Sequence, residues 1–177
     1  MKRILFTLAV IGATALSSTA QTTTTTTTAA SPATGGAKFS IGAEAGLPLG
    51  DASEVFSTVI GGSLKLELPT GTNTFFTLSA GYSAYLTKSE FKDLGAPGST
   101  GFVPIKAGIK YYSDGNFFLE GQAGIVFSTE SGGGHLFVYS PGIGYSFIGG
   151  FEVGVRYEAW TNNGTTGQVG LRLGYRF

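Results

Sequence analysis

The stretch GQVGLRLGYRF, residues 167–177, alternates without a break: Val169, Leu171, Leu173, Tyr175 and Phe177 on one row, Gln168, Gly170, Arg172, Gly174 and Arg176 on the other. Successive side chains of a β-strand point to opposite faces, so the pattern describes one strand with an apolar face and a polar face. Working back toward the N-terminus, the same two-row pattern recurs seven more times from residue 38 onward. It predicts strands over 38–48, 58–69, 74–86, 102–112, 117–127, 136–147 and 151–160, each about ten to thirteen residues long, with no helical stretch between them.

The connections alternate as well. Gly71-Thr72-Asn73, Ser113-Asp114-Gly115-Asn116 and Ile148-Gly149-Gly150 are short links of the residue types that tight hairpins need. The links at 49–57, 87–101, 128–135 and 161–166 are longer and more polar. Short turns at one end and long loops at the other are the pattern of transmembrane barrels. The fold class expected is therefore all-β, an eight-stranded antiparallel transmembrane β-barrel over 38–177.

The two rows decide which face is wet. The apolar row carries no Asp, Glu, Lys or Arg in any strand. The polar row carries Lys38, Glu44, Lys65, Glu67, Lys106, Lys110, Glu120, Glu152, Arg156, Glu158, Arg172 and Arg176, among Gly, Ser, Thr and Gln, with few bulky groups. A soluble eight-stranded barrel of the lipocalin kind would turn its apolar row inward, and its outer row would be charged. Here the charge-free row faces lipid, and the charged row fills a lumen only wide enough for side chains. An unpaired buried charge costs several kcal/mol, so Glu44, Lys65, Glu67, Lys106, Lys110, Glu120, Glu152, Arg156, Glu158, Arg172 and Arg176 are expected to form a bonded interior network.

Aromatic residues on the apolar row fall into two bands. Phe39, Phe76, Tyr111, Phe117, Tyr145, Phe147, Phe151, Tyr175 and Phe177 lie toward the short turns. Phe127, Phe137, Tyr139 and Tyr157 lie toward the long loops. Lipid headgroup boundaries favour such girdles.

Composition fits this partition. The 177 residues include 11 Lys and Arg against 11 Asp and Glu, only 12% charged residues, 29 Gly and no Cys. Soluble domains carry about 25% charged residues and about 7% Gly. The absence of cysteine excludes disulfides, thiolate metal sites and cysteine nucleophiles. The neutral balance argues against nucleic acid as a partner.

Residues 1–20 read as a secretory signal peptide. Lys2 and Arg3 precede an apolar run from Ile4 to Ala13, and Ser18-Thr19-Ala20 supplies small residues for cleavage. Residues 21–37 form a Thr-rich, then Ala, Ser, Pro and Gly-rich linker with too little apolar surface to order itself.

The chain resembles the small eight-stranded outer-membrane β-barrels of the outer membrane protein A and X types, and the compact outer-membrane barrel-domain proteins of Bacteroidota. The resemblance covers 38–177 and is sharpest in the Phe-terminated last strand. It implies residence in a Gram-negative cell outer membrane, with lipid and lipopolysaccharide as neighbours. It also implies that the barrel assembly machinery reads Leu171, Leu173, Tyr175 and Phe177 during biogenesis. Larger members append a peptidoglycan-binding domain, which a chain ending at Phe177 does not imply.

For chemistry the sequence offers little. His135 is the single histidine, after Gly132-Gly133-Gly134 and close to Glu130 and Ser131. Lipid A deacylases of similar size use Ser, His and Glu, but their His-x-Ser arrangement is missing here, where Leu136 and Phe137 follow. Palmitoyl-transferring barrels begin with an amphipathic helix, and the Thr-rich leader offers none. One His and no Cys leave no metal constellation, and the glycines lack the phosphate-cradling pattern with its Lys.

No cofactor and no enzymatic activity are expected. The reading is a structural or surface-interaction protein, with an extracellular partner met through the loops at 49–57, 87–101, 128–135 and 161–166. The alternatives are a narrow gated pore or small-solute channel of porin-like character and, third, a lipid A-modifying enzyme.

Overall fold

The computed structural model describes residues 36–113, 116–130, 132–162 and 164–177. The signal peptide at 1–20 and all but the last two residues of the linker at 21–37 lie outside the described residues. Eight antiparallel strands follow in chain order: β1 Lys38–Leu49, β2 Phe56–Pro69, β3 Thr74–Thr87, β4 Ser99–Tyr112, β5 Phe117–Ser128, β6 His135–Ser146, β7 Phe151–Thr161 and β8 Thr165–Arg176. Each pairs with the next, and β8 pairs with β1 to close the barrel.

The stagger can be read from the register. Starting at Phe39 and stepping through Leu66, Leu78, Ala107, Ala123, Tyr139, Ala159 and Gly167, the path returns to β1 at Leu49, ten residues further on. In an eight-stranded barrel stagger and tilt are linked, and strands lean about 35–45° from the axis.

The alternation of the sequence becomes an alternation of surfaces, in the inverted sense. On β2, Leu64 is 59% exposed while Lys65 beside it is 4% exposed. Around the barrel the large side chains of the outward row are Leu, Ile, Val, Phe and Tyr. The buried set includes Lys65, Glu67, Lys106, Lys110, Glu152, Glu158 and Arg172 with Ser, Thr and Gln. Such a wall is unstable against water and stable against hydrocarbon, where a closed barrel also satisfies its backbone within itself.

The turns sort as the residue types require. At the β6–β7 hairpin Gly149 and Gly150 adopt φ of 94° and 91°, the left-handed region that side chains avoid. A Cβ at Gly150 would also stand 2.5 Å from the Arg176 carbonyl oxygen.

The long loops correct one expectation, since two of them contain a helical turn: α1 Ala52–Val55 after β1 and α2 Ser89–Lys92 after β3. In the first, the Ser53 hydroxyl donates to the Gly50 carbonyl at 2.6 Å. In the second, the Asp93 amide donates to the Ser89 carbonyl at 3.0 Å. Turns of four residues are held by such local bonds and leave no periodic trace. The two loops are tied together where the Lys88 amide donates to the Val55 carbonyl at 2.9 Å. A bulge at Ser57 shifts the β2–β3 register at the foot of the first loop.

Candidate functional site: the ion-paired lumen

The side chains that the sequence places on the polar row meet across the lumen in linked groups. Toward the short turns, Lys110 of β4 sits between two carboxylates, 2.7 Å from Glu67 of β2 and 2.7 Å from Glu152 of β7. Its ammonium lies 4.0 Å from the centre of the Phe118 ring, a cation–π contact that adds to the two ion pairs. Glu152 Oε1 also accepts from the Ser146 hydroxyl at 2.7 Å, the Tyr112 hydroxyl at 2.9 Å and Arg176 Nη1 at 3.1 Å. Arg176 Nη1 donates to the Tyr112 oxygen at 2.7 Å as well.

At mid-height Lys65 of β2 donates to both oxygens of Glu120 on β5, at 2.8 and 2.6 Å. Arg156 of β7 grips Glu44 of β1 with two parallel bonds of 3.1 and 2.5 Å, the bidentate geometry that makes such pairs strong. The Ser63 hydroxyl donates to Glu44 at 2.6 Å and accepts from Arg172 Nε at 3.1 Å, while Arg172 Nη2 reaches the Ser40 oxygen at 3.1 Å. Arg172 Nε stands 3.6 Å from Glu44 itself.

Toward the long loops Glu158 of β7 pairs with Lys106 of β4. It accepts from Trp160 Nε1 at 2.8 Å and Gln168 Nε2 at 3.0 Å, and Arg156 Nε stands 3.3 Å away. Arg156 therefore joins the Glu44 and Glu158 groups. Lys38, at the short-turn mouth, lies over the Phe75 ring at 4.9 Å.

The expectation of few bulky groups in the lumen needs correction. Two apolar plugs bracket the charges. At the long-loop end Tyr85 and Trp160 pack with Val59, Val126 and Val138, and with Phe56, Phe102 and Leu136 around them. The Tyr85 and Trp160 rings are 5.0 Å apart, and Phe102 stands 4.8 Å from Trp160. At the short-turn end Phe75, Tyr112 and Phe118 form a second cluster with ring centres 5.6 and 5.8 Å apart. The signal was present in the sequence: Tyr85, Tyr112, Phe118 and Trp160 interrupt the polar row near strand ends, where lipid-facing girdles cannot use them.

Close packing leaves little room. Gaps between the interior side chains measure about 20, 10 and 10 Å³. A water needs roughly 10–15 Å³, so each gap holds about one.

On the outside of β8, Leu171, Leu173 and Tyr175 face outward, and Tyr175 lies between Phe151 and Phe177 with ring centres 5.1 and 5.2 Å away. The Phe177 amide donates to the Phe39 carbonyl at 2.8 Å, which fastens the chain end to β1. His135 opens β6 opposite Phe127, exposed, with ring centres 6.5 Å apart. Among the described residues no group of three or more His, Cys, Asp or Glu is arranged to hold a metal ion.

A closed eight-stranded barrel with an apolar outer wall, a filled polar lumen and long loops at one end defines a transmembrane barrel, and solved structures share the fold. Ail, the attachment invasion locus protein of Yersinia pestis, superposes with a TM-score of 0.58 at 18% identity, over 80% of this chain and 97% of that one. The same protein in complex with the heparin analogue sucrose octasulfate gives 0.53 at 16% identity, over 80% and 97%. The N-terminal β-barrel domain of Pseudomonas aeruginosa OprF gives 0.50 at 16% identity, over 78% and 97%. No family model matches the chain, and no curated protein matches it. The fold is thus that of the small eight-stranded outer-membrane barrels.

Proposed function

We propose that this is an integral protein of a Gram-negative outer membrane, exported through the signal peptide at 1–20. In this reading it acts as a rigid, non-enzymatic, non-conducting stake that carries surface loops. One observation carries the reading: aromatic plugs sit at both ends of the lumen and paired charges pack between them around gaps of about 20, 10 and 10 Å³. Water-filled conduction needs a continuous path, and closing one with bonded ion pairs is costly to reverse.

The loops supply the interaction surface. Asp51, Glu54, Glu90, Asp93 and Glu130 outnumber Lys88 and Lys92 there. Leu94, 83% exposed, stands beside α2 in a loop held by bonds such as Ala96 N–H to the Phe91 carbonyl at 3.0 Å. Such a surface suits a basic partner with an apolar patch, or divalent cations shared with lipopolysaccharide, and repels a polyanion. During biogenesis Leu171, Leu173, Tyr175 and Phe177 serve as the signal for the assembly machinery. Their support is the outward aromatic and aliphatic row on the last strand.

Single-channel recording on the purified, refolded chain tests the stake against the gated pore. The expected result is a silent bilayer for the wild type and for Glu120→Gln. Reproducible conductance in the wild type, raised by Glu120→Gln, would establish the pore.

A further inference from the structure

Leu94 is 83% exposed, more than any other large apolar side chain among the described residues. The rest of that exposed set belongs to the strands, to the β6–β7 turn or to Phe177. Leu94 alone stands in a long loop. Its exposure is built into the backbone. The α2 turn runs into Gly95, whose φ of 91° lies in the left-handed region. The Gly95 amide donates to the Lys92 carbonyl at 2.9 Å, and the Ala96 amide to the Phe91 carbonyl at 3.0 Å. Together these are the paired bonds of a Schellman cap, in which the apolar residues at the two outer positions pack on each other. Phe91 and Ala96 hold those positions and are half-buried. Leu94 precedes the glycine and takes no part in that contact.

The far side of the loop is fixed as well. The Thr87 hydroxyl donates to the Pro97 carbonyl at 2.7 Å, and the Thr87 amide to the Gly98 carbonyl at 3.1 Å. An apolar side chain on a fixed backbone has little freedom left to lose on binding, as an anchor residue requires. The surroundings select what it meets. The two helical turns, joined through the Lys88 amide and the Val55 carbonyl, expose the carboxylates of Asp51, Glu54, Glu90 and Asp93 against Lys88 and Lys92. A projecting side chain fits a recess, so the pocket lies on the partner. Anionic lipid, acidic glycan and nucleic acid all meet like charge here, and a second copy of the chain brings the same carboxylates. The linker at 21–37 leads into β1 at the short-turn end, on the other side of the membrane from Leu94. A protein surface supplies both a recess and a positive rim.

Resting on the loop-surface reading above, we propose that Leu94 is the anchor of a protein–protein interface. It enters an apolar pocket of the partner, and lysine or arginine side chains around that pocket pair with Asp93, Glu90 and the α1 carboxylates. The pocket supplies most of the affinity and the rim steers the approach.

The test uses the full chain in zwitterionic lipid nanodiscs. The probe is a library of short macrocyclic peptides of random sequence, selected for binding after depletion on empty nanodiscs. Ligands selected without bias settle where a surface yields the most binding energy, which is where hot-spot residues lie. The tightest family should carry net positive charge and lose about thirtyfold in affinity on Leu94→Ser. Glu90→Gln with Asp93→Asn should weaken it about fivefold and remove most of its salt dependence. Gly95→Ala keeps Leu94 but strains the cap, and should also cost about fivefold. Gly95→Asn tolerates the left-handed backbone and should bind within about twofold of the wild type. Thr72→Ala, at a short turn, should change nothing, and heat-dependent gel mobility verifies that each variant is folded. A selection without a Leu94-dependent family, a tightest family that is neutral or acidic, indifference to Gly95→Ala, or binding abolished by a chelator of divalent cations would each overturn the proposal. Bilayer conductance keeps the two readings apart: a silent barrel whose ligands ignore Leu94 loses the anchor alone, and a conducting barrel with Leu94-dependent ligands loses the stake alone.

Discussion

Leu64 and Lys65 are neighbours in sequence and opposites in circumstance. Leu64 faces a solvent as apolar as itself, whereas Lys65 is buried and doubly bonded to Glu120. The contrast runs around the whole barrel and teaches where specificity resides. The wall asks only that a residue be apolar, because lipid packs against almost any such surface. The lumen asks for a particular partner at a particular height, because a buried charge that loses its counter-ion cannot recover by solvation.

The sharpest way to break this comparison is Lys110→Met, which keeps the side-chain bulk and leaves Glu67 and Glu152 without their shared cation. The expected loss is about 3–5 kcal/mol of unfolding free energy, measured by denaturant titration in lipid. Adding Glu67→Gln should cost less than the two single losses combined, as expected for contacting groups. A loss below about 1 kcal/mol for Lys110→Met would place the lumen on the same footing as the wall.

The wall has its own forbidden change. Ile105→Arg, near the middle of β4 on the outward row, should cost about 2–4 kcal/mol by the same measurement, because the charge enters the hydrocarbon. Were the outer row water-facing, the substitution would be neutral and the protein would stay in solution without detergent. The smallest effect is expected outside both environments. Glu54→Gln on the α1 turn should move stability by no more than about 0.5 kcal/mol while weakening any binding to a basic partner.

Most of the architecture is legible in the sequence. The alternation at 167–177 carries strand, period and face together, and the absence of charge from one row identifies the lipid side. Individual partners were not legible. That Lys65 meets Glu120, or Arg156 meets Glu44, depends on the ten-residue stagger, which arises only when eight strands close and which no local pattern encodes. The two plugs lay between these cases. Tyr112 and Phe118 stood on the polar row in plain view, but an aromatic near a strand end also resembles a girdle residue, and only the row parity separates the two.

The ion pairs also bear on time as well as energy. Lys65–Glu120, Lys106–Glu158, Lys110–Glu67, Lys110–Glu152 and Arg156–Glu44 join residues 55, 52, 43, 42 and 112 positions apart. Each links strands that are not neighbours in the barrel. No hairpin forming on its own can make any of them, so they arise only after several strands have assembled, and Arg156–Glu44, which joins β7 to β1, only once the cylinder is shut. Interactions absent from the transition state leave the folding rate alone and slow the reverse step. The lumen charges thus set how long an inserted molecule stays folded, a latch that engages last and must release first.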